Sequence, residues 1–529
     1  MFLKRFTTIL MASSLAACAT TPGGLPAGNG SAPMPVAQAR RPNILFIMSD
    51  DHALQALSAY GSPISRLAPT PNLDRIAHNG ALFENSFVTN SLCGPSRAAM
   101  LTGKFGNKNG FNQNGDQFDN YQPTWPRALK DAGYQTAIVG KWHIGHDPKG
   151  MKFDYWKVLR DQGEYYNPDF ITPDGEVREH GYATDLITDM GIDWLDHRDP
   201  DKPFVLMVHH KAPHRNWMPA PRHLTKYLNT KFPVPDNFFD DYEGRDAAAI
   251  QAMNVHRNMY EGHDLKMTTG VGSSKLRYNR WPGAFDRMTP DQRKAFMDAL
   301  QQSNDAMNAK EMTQREMALW KYQRYLQQYL ATIVSVDESV GRLLDYLDTH
   351  GLTDNTIVVY TSDQGFYLGE HGWFDKRFMY EESFRTPLLI QYPGHIKPGT
   401  KIDSLVQNID YAPTFMDYAG LQVPDAVQGR SLRPLLEGKK PADWRKSLYY
   451  HYYEYPAFHR VTPHCGVRDQ RYKLIHFYGP IESWELFDEQ SDREEMHNLI
   501  DDPAQVTRVV AMKRELLRLQ AKYGDQSCG

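Results

Sequence analysis

The sequence predicts an α/β protein in which a parallel or mixed sheet lies between helices, with a smaller α+β unit at the C-terminal end. Three observations carry this. Four short, nearly continuous apolar runs stand well apart along the chain, and each ends in polar residues able to do chemistry. A long stretch of apolar residues at helical spacing separates the third run from the fourth. After about residue 430 the composition changes to aromatic-rich short runs followed by a helical terminus.

The first run, Asn43–Met48, leads into Ser49-Asp50-Asp51-His52, and the second, Thr136–Val139, into Gly140-Lys141-Trp142-His143. The third, Phe204–Val208, leads into His209-His210 with Pro213-His214 just beyond; the fourth, Thr356–Tyr360, into Thr361-Ser362-Asp363-Gln364. A strand that is apolar at nearly every position is buried on both faces, as in a parallel or mixed sheet covered by helices. Open α/β sheets bind ligands beyond the carboxyl ends of their strands. Four strand ends carrying Asp, Lys and His therefore point to one composite site. Between the third and fourth runs, Leu319, Tyr322, Leu326, Tyr329, Ile333, Val340, Leu344 and Leu347 keep helical spacing. Residues 312–348 are expected to form one long amphipathic helix whose apolar stripe is core and nothing more. Residues 215–310 are polar with weak periodicity and read as an insertion shaping a substrate cleft. The C-terminal unit, 431–529, is expected to hold short strands at Leu448–Tyr455 and Arg471–Tyr478 and a helix near Ala504–Tyr523.

The 529 residues carry 59 Lys+Arg against 63 Asp+Glu, a formal charge of −4. Hydrophobic residues at 41% and aromatics at 12% suffice for sizeable cores, and 23% charged residues is an ordinary globular share. Disorder over most of the chain is thus excluded. The near-neutral balance also argues against the strongly basic face of a nucleic-acid-binding protein. A mean hydropathy of −0.59, with no apolar run of about 18 residues, excludes a polytopic membrane protein.

Residues 1–17 open with Lys4 and Arg5, continue through a short apolar stretch and end in Leu15-Ala16-Ala17 before Cys18. That is a secretory signal, too short to span a bilayer. Leu15-Ala16-Ala17-Cys18 resembles the bacterial lipobox, in which Cys18 becomes the lipidated first residue; plain signal cleavage is the alternative. Residues 18–40, rich in Gly, Pro and Ala, read as a tether. The expected location is the bacterial cell envelope, held by the N-terminal lipid alone, or the periplasm without it. Of the other cysteines, Cys465 and Cys528 are either a disulfide pair in an oxidising compartment or two thiols.

The segment Cys93-Gly94-Pro95-Ser96-Arg97-Ala98-Ala99-Met100-Leu101-Thr102-Gly103-Lys104 resembles the signature of the formylglycine-dependent (type I) sulfatases, C-x-P-S-R followed by x-x-x-L-T-G. The resemblance runs from about residue 41 to 500. It implies the fold of the alkaline phosphatase superfamily, a mixed central sheet between helices with a small C-terminal subdomain, the catalytic part being 41–430. It also implies that Cys93 is converted to formylglycine by a formylglycine-generating enzyme. The aldehyde hydrate then offers one hydroxyl to attack sulfur and a second to expel sulfate, splitting one difficult step into two. Pro95 suits the first turn of a helix, whose N-terminus favours an anion.

By the same resemblance Asp50, Asp51, Asp363 and Gln364, with the modified Cys93, hold a metal ion. Relatives usually carry Asn or His where this chain has Gln364. A donor set of three carboxylates and an amide oxygen suits Ca²⁺ better than Zn²⁺. Lys141 and His143, in Gly140-Lys141-Trp142-His143, are implied to contact the formylglycine, with His143 the base for elimination. Arg97 is implied to pin its second hydroxyl, and His214 to stand beside the leaving-group oxygen as general acid. Lys376, twelve residues after Gln364, matches the spacing of the iduronate- and glucosamine-sulfatase side of the family. Gly466-Val467-Arg468, Arg471-Tyr472-Lys473-Leu474-Ile475 and Trp484-Glu485-Leu486-Phe487-Asp488 resemble the C-terminal part of carbohydrate sulfatases. His464 is placed by the resemblance on a strand that reaches toward the pocket. For His52, His209, His210 and His371 a satisfied structural role outweighs substrate contact.

The resulting expectation is a calcium-dependent sulfatase acting on a sulfated oligo- or polysaccharide such as a glycosaminoglycan, mucin or algal polysaccharide. Two rivals stand beside it. One is a phosphonate monoester or phosphodiester hydrolase on the same nucleophile; the other is a non-catalytic glycan-binding lipoprotein whose Cys93 stays a thiol.

Overall fold

The computed structural model describes residues 41–267 and 284–528. The expected signal segment, Cys18 and the tether to residue 40 lie outside the described residues, as do residues 268–283 of the expected insertion. No helix among the described residues is long and apolar enough to cross a membrane.

Ten strands form the main sheet among the described residues, in the spatial order 400–402, 81–83, 388–391, 356–362, 43–49, 204–209, 135–141, 155–159, 169–172 and 175–178. The five central strands, from Thr356–Ser362 to Tyr155–Leu159, pair in parallel, and antiparallel pairings begin on either side. The sheet is therefore mixed. Every residue of Asn43–Ser49 is buried, and alternate side chains enter opposite cores. Ile44, Phe46 and Met48 pack with Trp125 and Phe415. Leu45 and Ile47 pack on the other side with Val336, Val340 and Leu343 of the helix Gln314–Thr349. That long helix matches the expected 312–348 and starts at a capping box, Thr313 with Glu316.

The expected insertion holds more order than its polar sequence suggested. The helix Pro290–Ala309 begins at a second capping box, Thr289 with Gln292, and only Phe296, Leu300, Asn304 and Met307 of its side chains are fully buried. So narrow a stripe leaves little periodic signal in the sequence.

The C-terminal sheet has four antiparallel strands, Ser447–Tyr452, His464–Asp469, Tyr472–Phe477 and Ser483–Asp488. One face packs Tyr449, Val467, Leu474 and Leu486 against Met512, Leu516 and Leu519 of the helix Val506–Tyr523. The other packs Tyr450, Ile475 and Phe477 against Phe378, Tyr380 and Phe384. Cys465 and Cys528 are joined in a disulfide, Cα to Cα 6.1 Å, within the span such bridges allow.

Candidate active site

All five parallel strands deliver polar side chains to the same end of the sheet. Ser49 is followed by Asp50 and Asp51, Lys141 closes its own strand, His209 is followed by Lys211 and His214, and Ser362 by Asp363 and Gln364. The fifth strand, Tyr155–Leu159, is followed by Gln162. Facing them is the fully buried helix Cys93–Thr102, with Cys93 in its first turn. Gly140, at φ +94°, places its α-carbon so close to the His209 carbonyl that any Cβ would collide with it. Only glycine fits there, and the tight approach sets the direction of Lys141.

The acids converge. Carboxylate oxygens of Asp50, Asp51 and Asp363, all fully buried, lie within 4.8 Å of one another. The Cys93 thiol donates to Asp50 Oδ1 at 3.3 Å, and burial pushes that thiol up to about 12, so at neutral pH it is protonated. Arg97 donates through Nε to Asp363 Oδ2 at 3.0 Å and through Nη1 to the Lys141 carbonyl at 2.8 Å, with Nη2 3.5 Å from Asp50. Lys141 pairs with Asp50, and Lys376 donates to Asp51 Oδ1 at 2.5 Å. Burial alone would lower the Lys376 ammonium, but Asp51, Cys93 and Asp363 outweigh it and hold it above its usual value. Asp51 is itself raised, by burial first and by Asp363 against the opposing pull of Lys376. Asp51 Oδ2 and Gln364 Oε1 are buried without a hydrogen bond. These orphaned oxygens, with the converging carboxylates, form an all-oxygen donor set that fits a hard divalent cation such as Ca²⁺. Asp51 (φ +64°) and His143 (φ +60°) occupy left-handed backbone, strain that the surrounding structure must hold in place.

Gln162 connects the bases. Its Oε1 accepts from Lys141 Nζ at 2.5 Å, so its amide NH₂ faces His143 Nε2 at 2.8 Å and donates to it. The imidazole proton of that arrangement sits on Nδ1. The Gln162 carbonyl accepts from Lys211 Nζ at 3.2 Å, and burial lowers the Lys211 ammonium to about 8. His214 directs Nδ1 at the Arg215 carbonyl, 2.7 Å away, leaving Nε2 toward the site, 3.8 Å from Asp51 Oδ2. Burial, then Lys141, Lys376 and Lys211, hold the His214 imidazole far below its usual value.

The expected residues Asp50, Asp51, Cys93, Arg97, Lys141, His143, His214, Asp363, Gln364 and Lys376 are thus brought together, with two differences in detail. Arg97 is spent on Asp363 and the Lys141 carbonyl, bracing the acids, and His143 is held by Gln162. His464 is a correction. It is fully buried among Phe378, Tyr450 and Phe477, its Nε2 accepting from the Met379 amide at 3.1 Å. The aromatic layer between the C-terminal sheet and residues 378–384 holds it away from the acids. His52 bonds Tyr360, His210 bonds Ser339, and His371 pairs with Asp240, each held in a structural contact through one ring nitrogen. His209 directs Nδ1 at the Lys141 carbonyl, 3.2 Å away. Gln162 and Lys211 are additions. The strand before Gln162 carries a lysine at its centre, YWKVL, which hid it from an all-apolar criterion.

Fold and site together define a buried centre at the carboxyl edge of a mixed sheet, with oxygen donors that fit a hard cation and lysines that fit an oxyanion. The sulfatase family model matches residues 42–421, and the model of the N-sulphoglucosamine sulphohydrolase C-terminal region matches 369–522. An N-acetylglucosamine-6-O-sulfatase of Bacteroides thetaiotaomicron is 49% identical over 494 residues, covering 92% of this chain and 88% of that one. The human N-acetylglucosamine-6-sulfatase is 27% identical, covering 89% of this chain and 81% of its own. A solved structure in complex with its substrate D-glucosamine-2-N,6-O-disulfate superimposes with a TM-score of 0.89 at 49% identity, covering 92% of this chain and 99% of that one. The chain belongs to the sulfatase family. It is an enzyme, a sulfuric ester hydrolase.

Proposed function

We propose that this sulfatase removes the 6-O-sulfate of a glucosamine or N-acetylglucosamine residue in a sulfated saccharide, with Cys93 converted to formylglycine and Ca²⁺ held by Asp50, Asp51, Asp363 and Gln364. The observation that carries the substrate is the 49% identity, across nearly the whole chain, to an enzyme named for that reaction. The modified side chain supplies, as its hydrate, a geminal pair of oxygens, one for attack on sulfur and one to drive sulfate release. The cation supplies Lewis-acid stabilisation of charge.

This chain's own residues supply the rest. The helix Cys93–Thr102 turns the positive end of its dipole toward the anion. Lys141 and Lys376, buried beside it, complement the charge that grows on the sulfuryl oxygens without reorganising. Arg97 braces Asp50, the partner of Lys141, and the Gln364 amide bonds Asp51, the partner of Lys376, so the cations do not need to move to meet substrate. His214, with Nδ1 committed to the Arg215 carbonyl, faces the departing alcohol oxygen with Nε2 and acts as its acid only when that nitrogen carries a proton. Gln162 orients His143; for His143 to take the proton as sulfate leaves, its Nε2 gives up the Gln162 hydrogen bond, since Nδ1 already carries the imidazole proton. Water is excluded by burial of every one of the acids.

Sulfate release from N-acetylglucosamine 6-sulfate, compared with the 3-sulfate, galactosamine 6-sulfate and aryl phosphate or phosphonate esters, tests the reading. The expected result is a preference of about 100-fold or more for the gluco 6-sulfate. Faster turnover of the phosphorus esters, or of another sulfate position, would overturn it.

A further inference from the structure

Phe458 is 60% exposed, yet its neighbours are fixed. His459 is buried, its carbonyl accepts from the Ala252 amide at 2.7 Å, and its Nδ1 lies 2.7 Å from the Ala252 carbonyl. Nε2 of the same imidazole is 3.2 Å from Asp375 Oδ2, and Asp375 adjoins Lys376. The Phe458 ring packs on Arg215, whose guanidinium carbon is 5.2 Å from its centroid, 5.2 Å from that of Phe374 and 5.7 Å from that of Tyr260. Arg215 is anchored in turn by two bonds to Asp264, at 2.6 and 2.8 Å, and its carbonyl holds His214 Nδ1 at 2.7 Å. The ring is therefore tied to the site twice, through Arg215 to His214 and through His459 and Asp375 to Lys376.

An isolated apolar side chain on a surface needs no explanation. A ring carried on a guanidinium whose own carbonyl holds His214 is different, because its exposed apolar side is fixed relative to the site through that residue. Aromatic rings give large contact area at low conformational cost, and a pyranose presents a face of C–H bonds that matches them. We propose that Phe458, carried on Arg215, is the stacking platform of a second subsite, holding the sugar glycosidically linked to the residue that bears the scissile sulfate. This inference rests on the saccharide reading above. It makes the enzyme a reader of oligosaccharides, with binding energy from the remote sugar available to the reaction.

The test measures kcat/KM on N-acetylglucosamine 6-sulfate and on a tetrasaccharide bearing the same sulfated residue, for the wild type, Phe458→Ala and Phe458→Trp. The ratio of tetrasaccharide to monosaccharide is expected to fall about tenfold in Phe458→Ala and to be kept in Phe458→Trp. An equal ratio in all three active enzymes overturns the subsite, including the case in which Phe458→Ala weakens both substrates alike through Arg215 and His214. No sulfate release from either substrate by the wild type would instead show the saccharide reading to be wrong, and the platform would fall with it.

Discussion

At the carboxyl ends of the central strands, Asp50, Asp51 and Asp363 face Arg97, Lys141 and Lys376. Under the C-terminal sheet, Glu381, Glu489 and Glu495 face Arg468 and Lys473. Both networks are buried and built from the same side-chain types. In the C-terminal one a protein ammonium stands at the centre, Lys473 Nζ being 2.8, 3.2 and 2.7 Å from the three glutamates. Glu381 first, then Glu489 and Glu495, outweigh the burial that would lower it. In the sheet-end network the carboxylates converge on one another, and Asp51 Oδ2 and Gln364 Oε1 are left without hydrogen bonds. Buried acceptors cost stability unless matched, so a network that leaves two unmatched is organised for a ligand. The network whose centre Lys473 fills is organised for the fold.

The largest expected effects break the first network. Cys93→Ala should lower turnover by about 10⁴-fold or more while leaving the far-ultraviolet circular dichroism unchanged; substantial residual activity would remove Cys93 from the nucleophile's role. Asp363→Asn should cost about 10³-fold in kcat and reduce bound calcium in elemental analysis, and chelation should act likewise, with Ca²⁺ restoring activity better than Zn²⁺. An active variant with undiminished calcium would contradict the ligand assignment.

Breaking the second network should give the opposite pattern. Lys473→Met strands the buried Glu489 and Glu495, leaving Glu381 to Arg468, and should destabilise the protein by about 3–5 kcal/mol in denaturant titration, with kcat/KM of the folded enzyme within about threefold of wild type. A much larger catalytic loss would erase the distinction between the two networks. The smallest effect concerns pH. Burial pushes Glu485 up to about 8, where it accepts from the Tyr380 hydroxyl at 2.8 Å. A raised carboxyl binds its proton more tightly in the folded than in the unfolded chain. Its contribution is therefore complete below the ordinary carboxylate range and lost as pH rises through about 8. Glu485→Gln should flatten the fall in Tm between about pH 5 and pH 9; an unchanged slope would show that the proton is held elsewhere.

The central sheet was legible because its strands are apolar at nearly every position and end in reactive residues. The candidate site was legible because Cys93–Lys104 fixes one corner and Asp50, Lys141, His214 and Asp363 each end or follow such a strand. What escaped has a physical reason in each case. Gln162 follows a strand interrupted by Lys157, and the helix Pro290–Ala309 buries too narrow a stripe to show its period. The placement of His464 depends on which face of a short strand meets the aromatic layer of Phe378 and Phe477, a register that sequence alone leaves open.

The most direct test of the account is the peptide mass of the segment spanning Cys93, taken from protein made in its native host and shown to release sulfate. The account predicts a loss of about 18 Da relative to cysteine, the mark of an aldehyde in place of the thiol. An intact thiol in an active preparation would contradict it.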